Sequence, residues 1–259
     1  MRSAAVPGFL PSRHGFGFVN RWPAGPAFEW RARYLRIGIG EVAEGLCGGM
    51  CFAAADRFLR DETPPPDVEP PAAGTLLFDE IARRQLESLE LGVTPLRFWW
   101  AAARRRFARW TATDQVREWR SIRAHIDAGR PAMLGLVRSA AVNPFSLTTN
   151  HQVLGYAYEA GPARATIRIY DPNHPGRDDV SIELRIGGIA TDLGAMATDL
   201  GANATDLGAM ATDLDAAATG DPGSATAGST ARAPVSLGQS TGEPLLALLR
   251  LPYRPAPAR

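Results

Sequence analysis

The sequence contains no lysine, few cysteines and no long apolar run. All 28 of its basic residues are arginine, and with 27 acidic residues they give a formal net charge of +1. A chain so close to neutral lacks the basic excess typical of nucleic-acid-binding domains, so we expect no nucleic-acid partner. No stretch approaches the roughly 20 consecutive apolar residues that a membrane-spanning helix needs, so we expect no membrane partner either.

The scarcity of cysteine also excludes a disulfide framework. The two cysteines, Cys47 and Cys51, lie close together in the sequence, whereas disulfide-rich secreted domains carry several spaced pairs. Residues 1–11 contain one arginine and a short mixed stretch, which is a poor secretory signal, so we expect a cytoplasmic protein. With 259 residues, 45% of them hydrophobic, the chain can bury a sizeable core, and we interpret 1–259 as a single domain.

Hydrophobic periodicity predicts helices in the first half of the chain and strands in the second. A helix at 50–59 precedes three more within 75–130, a stretch that we interpret as a helical insertion, and Thr113 is the predicted cap of the last. A short edge strand is predicted at 16–20. The other predicted strands lie at 131–137, 150–158, 165–171, 180–186 and 245–251. This order predicts an α+β fold with helices packed on an antiparallel sheet.

A seven-residue repeat separates the last two predicted strands. Ala-Thr-Asp-Leu-Gly-Ala-Met begins at Ala190 and recurs with small changes at 197, 204 and 211. One leucine per repeat does not make the pattern of a coiled coil, and Thr, Asp and Gly all disfavour helix. We therefore interpret 187–243 as a flexible low-complexity insert, with an ordered leucine-striped module as the alternative.

Cys47 stands where a glycine-containing turn runs into the helix predicted at 50–59. A thiol at a helix N-terminus lies over unpaired backbone N–H groups and the positive end of the helix dipole, which favours the thiolate. The thiolate is the nucleophilic form of cysteine. Cys47 is therefore the candidate nucleophile, with a packing role as the alternative. Cys51 falls on the apolar stripe of the helix and is interpreted as a core residue.

The strands at 150–158 and 165–171 form a predicted hairpin that carries a histidine and an aspartate. A turn centred on Gly161 would place His151 directly opposite Asp171, with Cβ atoms about 4.5–5.5 Å apart. The carboxylate could then hold one imidazole nitrogen and leave the other free, which is the base-and-orienter half of a nucleophilic triad. A register slip of one residue would separate the pair. A core histidine and a turn-capping aspartate are the alternatives.

Three short motifs resemble those of a known enzyme family. Residues 47–51 resemble the Cys-Gly-x-x-Cys opening of the bacteriocin-processing cysteine peptidases, a branch of the papain-like superfamily. The segments around His151 and Asp171 are similar to the family's histidine strand and Asp-Pro strand. The resemblance covers about 41–186 plus the final strand and implies a papain-like fold without a cofactor. It also implies that Cys47 is the nucleophile, His151 the general base and Asp171 the orienting residue.

The sequence departs from this family at the expected oxyanion hole. Family members usually carry a glutamine about six residues before the nucleophile, whose amide and the cysteine's own N–H meet the developing oxyanion. Glu41 occupies that place. An ionised carboxylate cannot donate a hydrogen bond and would repel the oxyanion. Gln152, Asn20 and Asn173 are the candidates for a substitute donor.

These features predict a cysteine-dependent hydrolase or acyl transferase of peptidase type, acting on an amide or thioester of a peptide or small acyl substrate. The alternative is a catalytically inactive papain-like module that binds a peptide or protein partner. A zinc site built from Cys47, Cys51, His151 and His174 lacks the usual ligand spacing, so we expect no metal.

The aromatic and basic stretch at 99–110 also has two interpretations. Its tryptophans and arginines could contact nucleic acid or an acidic membrane. Helical periodicity explains the same residues as one apolar face and one solvated face, and we favour this interpretation.

Overall fold

The computed structural model describes residues 1–23, 25–32, 35–41, 45–107, 109–141, 150–186 and 235–257. Within these ranges the chain has an α+β structure. Its helices are α1 (Pro11–His14), α2 (Cys47–Leu59), α3 (Leu76–Ser88), α4 (Val93–Arg106) and α5 (Ala112–Asp127). Its strands are β1 (Arg2–Ala5), β2 (Pro26–Ala32), β3 (Leu35–Glu41), β4 (Ala132–Val137), β5 (His151–Ala160), β6 (Arg164–Tyr170), β7 (Ser181–Ile186), β8 (Val235–Gln239) and β9 (Ala247–Arg250).

Antiparallel strands form the main sheet in the order β8-β7-β6-β5-β4-β9, and β1 joins it as a further partner of β5. β5 is central because β6 pairs along one of its edges, while β4 and β1 share the other edge. Strands β2 and β3 form a separate hairpin. None of the helices in the described ranges has the length and apolar character needed to cross a membrane.

The helix α2 packs against both α3 and the central strand β5. Its side chains from Met50 to Ala55 are almost completely buried. A Cβ atom at Gly49 would lie 2.1 Å from the carbonyl oxygen of Ile81, so only glycine allows α2 and α3 to approach this closely. The position of the first turn of α2 is thereby fixed.

A buried ion pair joins the same two helices further along. Arg84 of α3 and Asp56 of α2 lie 2.8 Å apart, with side chains only 3% and 2% exposed. The Tyr253 hydroxyl and the Ala256 N–H also donate to Asp56, at 2.6 and 2.9 Å. These bonds hold the C-terminal segment against α2 and α3.

The edge strand β9 is covered by α5. Gln115 of α5 donates to the carbonyl oxygen of Leu248 at 3.0 Å and accepts from the Leu248 N–H at 3.1 Å, as a neighbouring strand would. Glu118 accepts from the backbone N–H of Arg250 at 2.6 Å. These side chains satisfy part of an edge that would otherwise expose unpaired backbone groups.

The predicted helices and most predicted strands are present, with three corrections. Thr111, not Thr113, caps α5: its side chain accepts from the Asp114 N–H while Asp114 accepts from the Thr111 N–H. This reciprocal pair satisfies two backbone donors that Thr113, already inside the helix, could not. Residues 16–20 form no strand, and their aromatic side chains are buried instead. The N-terminal strand of the main sheet is β1, which pairs with β5.

The third correction concerns the predicted insert at 187–243. Its last part forms β8 and a turn, and β8 pairs with β7 from Ile182↔Gln239 to Ile186↔Val235. The repeat itself lies in 187–234, outside the described residues. The predicted insert therefore extended too far and included β8, a strand of the main sheet that follows the repeat.

Candidate active site

Cys47 is the first residue of α2, so the helix begins three residues before the predicted start. The carbonyl oxygen of Leu46 accepts from the Met50 N–H at 2.9 Å and closes the first turn. Backbone N–H groups in a first turn have no acceptor within the helix, and they lie next to the thiol. The Cys47 side chain is half-buried, whereas Cys51 is fully buried.

Asn20 fixes the turn that leads into Cys47. Its Oδ1 accepts from the Leu46 N–H at 2.6 Å, and its own N–H donates to the Pro172 carbonyl oxygen at 2.9 Å. Gly45 has a φ of 89°, and a Cβ atom there would lie 2.5 Å from Nδ2 of Asn20. Glycine is therefore required at this position on both conformational and steric grounds.

His151, the first residue of β5, is bonded to Asp171, which follows β6. The Nε2 atom of His151 lies 2.7 Å from Oδ1 of Asp171. The His151 side chain is 5% exposed and that of Asp171 is 0% exposed. This contact leaves Nδ1 as the ring nitrogen available to Cys47.

The predicted register between the two strands is wrong by two residues. The observed pairs are Leu154↔Tyr170 and Gly155↔Ile169, followed by Ala157↔Arg168, so Tyr156 is an extra residue in a β-bulge. Asp171 therefore continues the register opposite Val153, and His151 lies diagonally from it on the same face.

Without the bulge, the strand alternation would be inverted at this end of the hairpin. Continuing the register of Ala157↔Arg168 would place Asp171 opposite Leu154, on the face away from His151. The bulge at Tyr156 restores the shared face, and its one local signal in the sequence is Gly155, an isolated glycine within the strand directly before it.

The carboxylate of Asp171 is hydrogen-bonded at both oxygens. Oδ1 accepts from His151 and from the Asn173 N–H at 2.9 Å, and Oδ2 accepts from Nε2 of Gln239 at 2.8 Å. Burial alone would raise the pKa of Asp171, but the charge and hydrogen bond of His151, with the Asn173 N–H and the charge of His174, lower it to about 2. Asp171 is thus an anion held in the protein interior.

The pKa values of Cys47 and His151 are shifted toward an ion pair. Burial would raise the pKa of the Cys47 thiol, but the charge and hydrogen bond of His151, with the N–H groups of Gln152 and Gly48, lower it below 9.0. Burial would lower the pKa of His151, but Asp171 and Cys47 raise it to about 9. Both shifts favour a thiolate beside an imidazolium over a neutral thiol beside a neutral imidazole.

Gln152 supports the thiol through its backbone, while its side chain turns toward α3. Its N–H lies 3.4 Å from Sγ of Cys47, and its carbonyl oxygen accepts from the Cys51 thiol at 3.5 Å. Nε2 donates to Oγ of Ser88 at 3.4 Å. Oε1 lies 2.7 Å from the place of a Cβ atom on Gly48, and it is buried without a partner.

Two other candidates for the oxyanion hole, Asn20 and Asn173, lie around the turn that leads into Cys47. Nδ2 of Asn20 donates to Oδ1 of Asn173 at 3.2 Å, and the Asn173 backbone donates to Asp171. Asn20 and Asn173 therefore join the Cys47 turn to the Asp171 turn. Glu41 ends β3, and its side chain lies outside what the structure describes.

Sequence reasoning missed Gln239 and Arg138. Gln239 ends β8, within the stretch interpreted as an insert, and Arg138 follows β4. An arginine side chain can only donate hydrogen bonds. Here Nη2 of Arg138 donates to Oε1 of Gln239 at 3.1 Å. Neither residue lies near a motif, so only the fold could bring them to Asp171.

No group of three or more histidine, cysteine, aspartate or glutamate side chains within the described ranges is arranged to hold a metal ion. Three of the four residues of the zinc alternative have hydrogen-bond partners outside that set. His151 binds Asp171, the Cys51 thiol donates to Gln152, and His174 lies 3.1 Å from Glu243.

Comparison of the chain with family models, curated proteins and solved structures finds no match.

Proposed function

We propose that the protein is a cysteine-dependent hydrolase or acyl transferase of papain-like type that works through Cys47, His151 and Asp171. The observation that carries this proposal is the position of His151, whose Nε2 is held by Asp171 at 2.7 Å while the remaining ring nitrogen is left for Cys47. A nucleophile on the first turn of a helix packed against the histidine strand also supports a papain-like arrangement.

The shifted pKa values support a specific reaction sequence. The Cys47 thiolate attacks the carbonyl carbon of an amide or thioester and forms a C–S bond. The tetrahedral intermediate then breaks the bond to the leaving group, which takes a proton from Nδ1 of the His151 imidazolium. Water or an amine next attacks the acyl-enzyme while neutral His151 removes its proton, and the thiolate leaves.

The first turn of α2 is suited to meet the negative charge that develops on the carbonyl oxygen. The backbone N–H of Cys47 has no helical acceptor, and the dipole of α2 favours an anion at this end.

The test is alkylation by iodoacetamide at pH 6, followed by mass spectrometry of the labelled peptides. A Cys51→Ala background leaves Cys47 as the single thiol. We expect Cys47 to be labelled faster than an ordinary thiol, because its lowered pKa gives a larger thiolate fraction at this pH, and we expect slow labelling in His151→Ala. His125→Ala is the matched control, since His125 lies on α5 and contacts the Ser121 carbonyl oxygen. Labelling no faster than that of an ordinary thiol would overturn the proposal.

A specific observation favours the inactive binding module as second candidate. The amide nitrogens of Gln152 and Asn20 are directed to Ser88 and Asn173, and Glu41 stands where the family carries its donor. Incubation with short peptide amides and acyl thioesters separates the two candidates. An acyl-enzyme on Cys47, seen by intact mass, supports the enzyme; peptide binding with unchanged mass supports the module.

A further inference from the structure

The second oxygen of Asp171 depends on a residue from a distant part of the chain. Oδ1 is oriented by His151 and Asn173, but Oδ2 receives its hydrogen bond from Gln239, 68 residues further along the sequence. Both side chains are buried, Asp171 at 0% and Gln239 at 7% exposure. A buried carboxylate oxygen without a donor is costly, so loss of this bond would favour rotation of the carboxylate away from His151.

The direction of the Gln239 amide is set by Arg138. An amide presents a donor at one end and an acceptor at the other, so by itself it could face Asp171 either way round. Arg138 can only donate, and its contact with Oε1 at 3.1 Å requires the oxygen end. Nε2 must then face Asp171. The guanidinium thus ensures that Gln239 meets the carboxylate with a donor and not with a second acceptor.

The backbone holds both residues in place. Gln239 pairs with Ile182 at the end of β8, and its carbonyl oxygen accepts from the Gly242 N–H at 3.0 Å in the following turn. The Arg138 N–H donates to Oδ1 of Asn150 at 3.2 Å, directly before His151. Arg138 therefore connects the start of the histidine strand with the residue that holds Asp171.

We propose that Gln239 and Arg138 are positioning residues: Arg138 orients the Gln239 amide, which fixes the Asp171 carboxylate so that it holds His151 by Nε2. The catalytic consequence of this inference rests on the function proposed above. The charged and titratable groups around the carboxylate are His151, the buried Cys51 and Tyr170, His174 with its partner Glu243, and Arg138 acting through the amide.

The test reads the His151 ring directly by nitrogen NMR at a pH above about 9, where the ring is neutral. In the unmodified protein we expect the proton on Nε2, facing Asp171. Gln239→Met keeps the length of the side chain but removes the amide, and we expect a mixture of the two ring tautomers. The rate of Cys47 alkylation at pH 6 should fall by about tenfold, as expected when a hydrogen bond to a charged group is lost.

Two further variants separate positioning from folding. Arg138→Met leaves the amide free to rotate and should give the same change to a smaller degree, whereas Arg138→Lys retains a donor and should restore the Nε2–H tautomer. Gln115→Met is the matched structural control, because Gln115 is a buried glutamine bonded to β9 and not to Asp171. It should lower the melting temperature without changing the His151 tautomer.

The outcomes distinguish this inference from the proposed function. An unchanged tautomer and alkylation rate in Gln239→Met would overturn the positioning role even if Cys47 reacts rapidly. A changed tautomer in a protein whose Cys47 reacts slowly would support the positioning role and overturn the enzyme. If Gln239→Met does not fold, the comparison of Arg138→Met with Arg138→Lys tests the positioning role. Equal populations of the His151 tautomers in these two variants would overturn the inference.

Discussion

Nε2 of His151 lies 2.7 Å from Oδ1 of Asp171, although the two residues are offset by two positions across the β5–β6 pair. The contact is diagonal and almost completely buried. A charge-assisted hydrogen bond shielded from water is stronger than the same bond at the surface. The protonation of His151, and through it that of Cys47, therefore depends on this contact.

Asp171→Asn should change two titrations in opposite directions. The pKa of His151 should fall from about 9 toward 6.5, because the charge of Asp171 is the main contribution that raises it. The pKa of Cys47 should rise, because a less stable imidazolium stabilises the thiolate less. NMR titration of the His151 ring measures the first, and the pH dependence of iodoacetamide alkylation measures the second.

The direction of the shift in pH dependence follows from the Cys47–His151 ion pair. Thiolate reactivity appears as the pH rises through the lowered pKa of Cys47, so its onset should move to higher pH in Asp171→Asn. Turnover also needs the imidazolium and should decline above about 9 in the unmodified protein. Asp178→Asn is the control, since Asp178 binds Ser12. An unchanged His151 titration in Asp171→Asn would contradict this account of the site.

Gly49→Ala should destabilise the fold by about 1–3 kcal/mol, the cost of forcing extra volume into a packed interface. The new methyl group would lie 2.1 Å from the Ile81 carbonyl oxygen and 2.9 Å from the Gln85 nitrogen, so α3 must move away from α2. Urea denaturation measures the loss. Gly238→Ala is the control, because a Cβ atom there meets nothing within 4 Å. Equal stability of the two variants would contradict the close packing of α2 and α3.

Arg84→Met should destabilise the protein by about 3–5 kcal/mol, because it leaves the Asp56 carboxylate buried without its counter-charge. The hydrogen bonds from Tyr253 and Ala256 remain and offset part of the cost. The double variant Asp56→Leu with Arg84→Met removes both charges, so it should lose much less than the sum of the single variants. Additive losses in thermal or urea unfolding would contradict coupling between the two side chains.

Replacing 187–234 with Asn-Gly should preserve both the fold and the reactivity of Cys47. Ile186 and Val235 are cross-strand partners, so a two-residue turn can join them directly, and Asn-Gly is a favoured hairpin turn. Circular dichroism, thermal unfolding and iodoacetamide labelling at pH 6 test this. Loss of rapid labelling in a folded deletion variant would show that the removed residues contribute to the site.

Local patterns in the sequence were sufficient to predict much of the architecture. Apolar residues at helical spacing predicted α2 to α5, and the short apolar and alternating runs predicted β4 to β7 and β9, because burial of one face constrains the residue types along it. The same local chemistry indicated Cys47 at a helix start. The end of each element was less certain, as shown by Thr111 capping α5 in place of Thr113.

Features that depend on residues distant in sequence could not be predicted. The pairing offset of His151 and Asp171 depends on a bulge at Tyr156, and an isolated glycine before it, Gly155, does not specify the resulting register. Gln239 comes to Asp171 through the β7–β8 pairing, which is separated in sequence by the repeat. Sequence spacing specifies neither the curvature of a sheet nor the direction of a buried amide.

The bulge at Tyr156 means that the site is more sensitive to the number of residues than to their identity. The number of residues between His151 and Asp171 decides which face of the sheet each side chain lies on. Each residue added to or removed from a strand moves the side chains beyond it to the opposite face. Substitutions of exposed residues such as Glu159 leave that count unchanged. A single-residue insertion or deletion in β5 or β6 would turn the aspartate away from the histidine while leaving every side chain of the triad present. Variation in length should therefore be tolerated at the junction of Ile186 and Val235 but not in this hairpin.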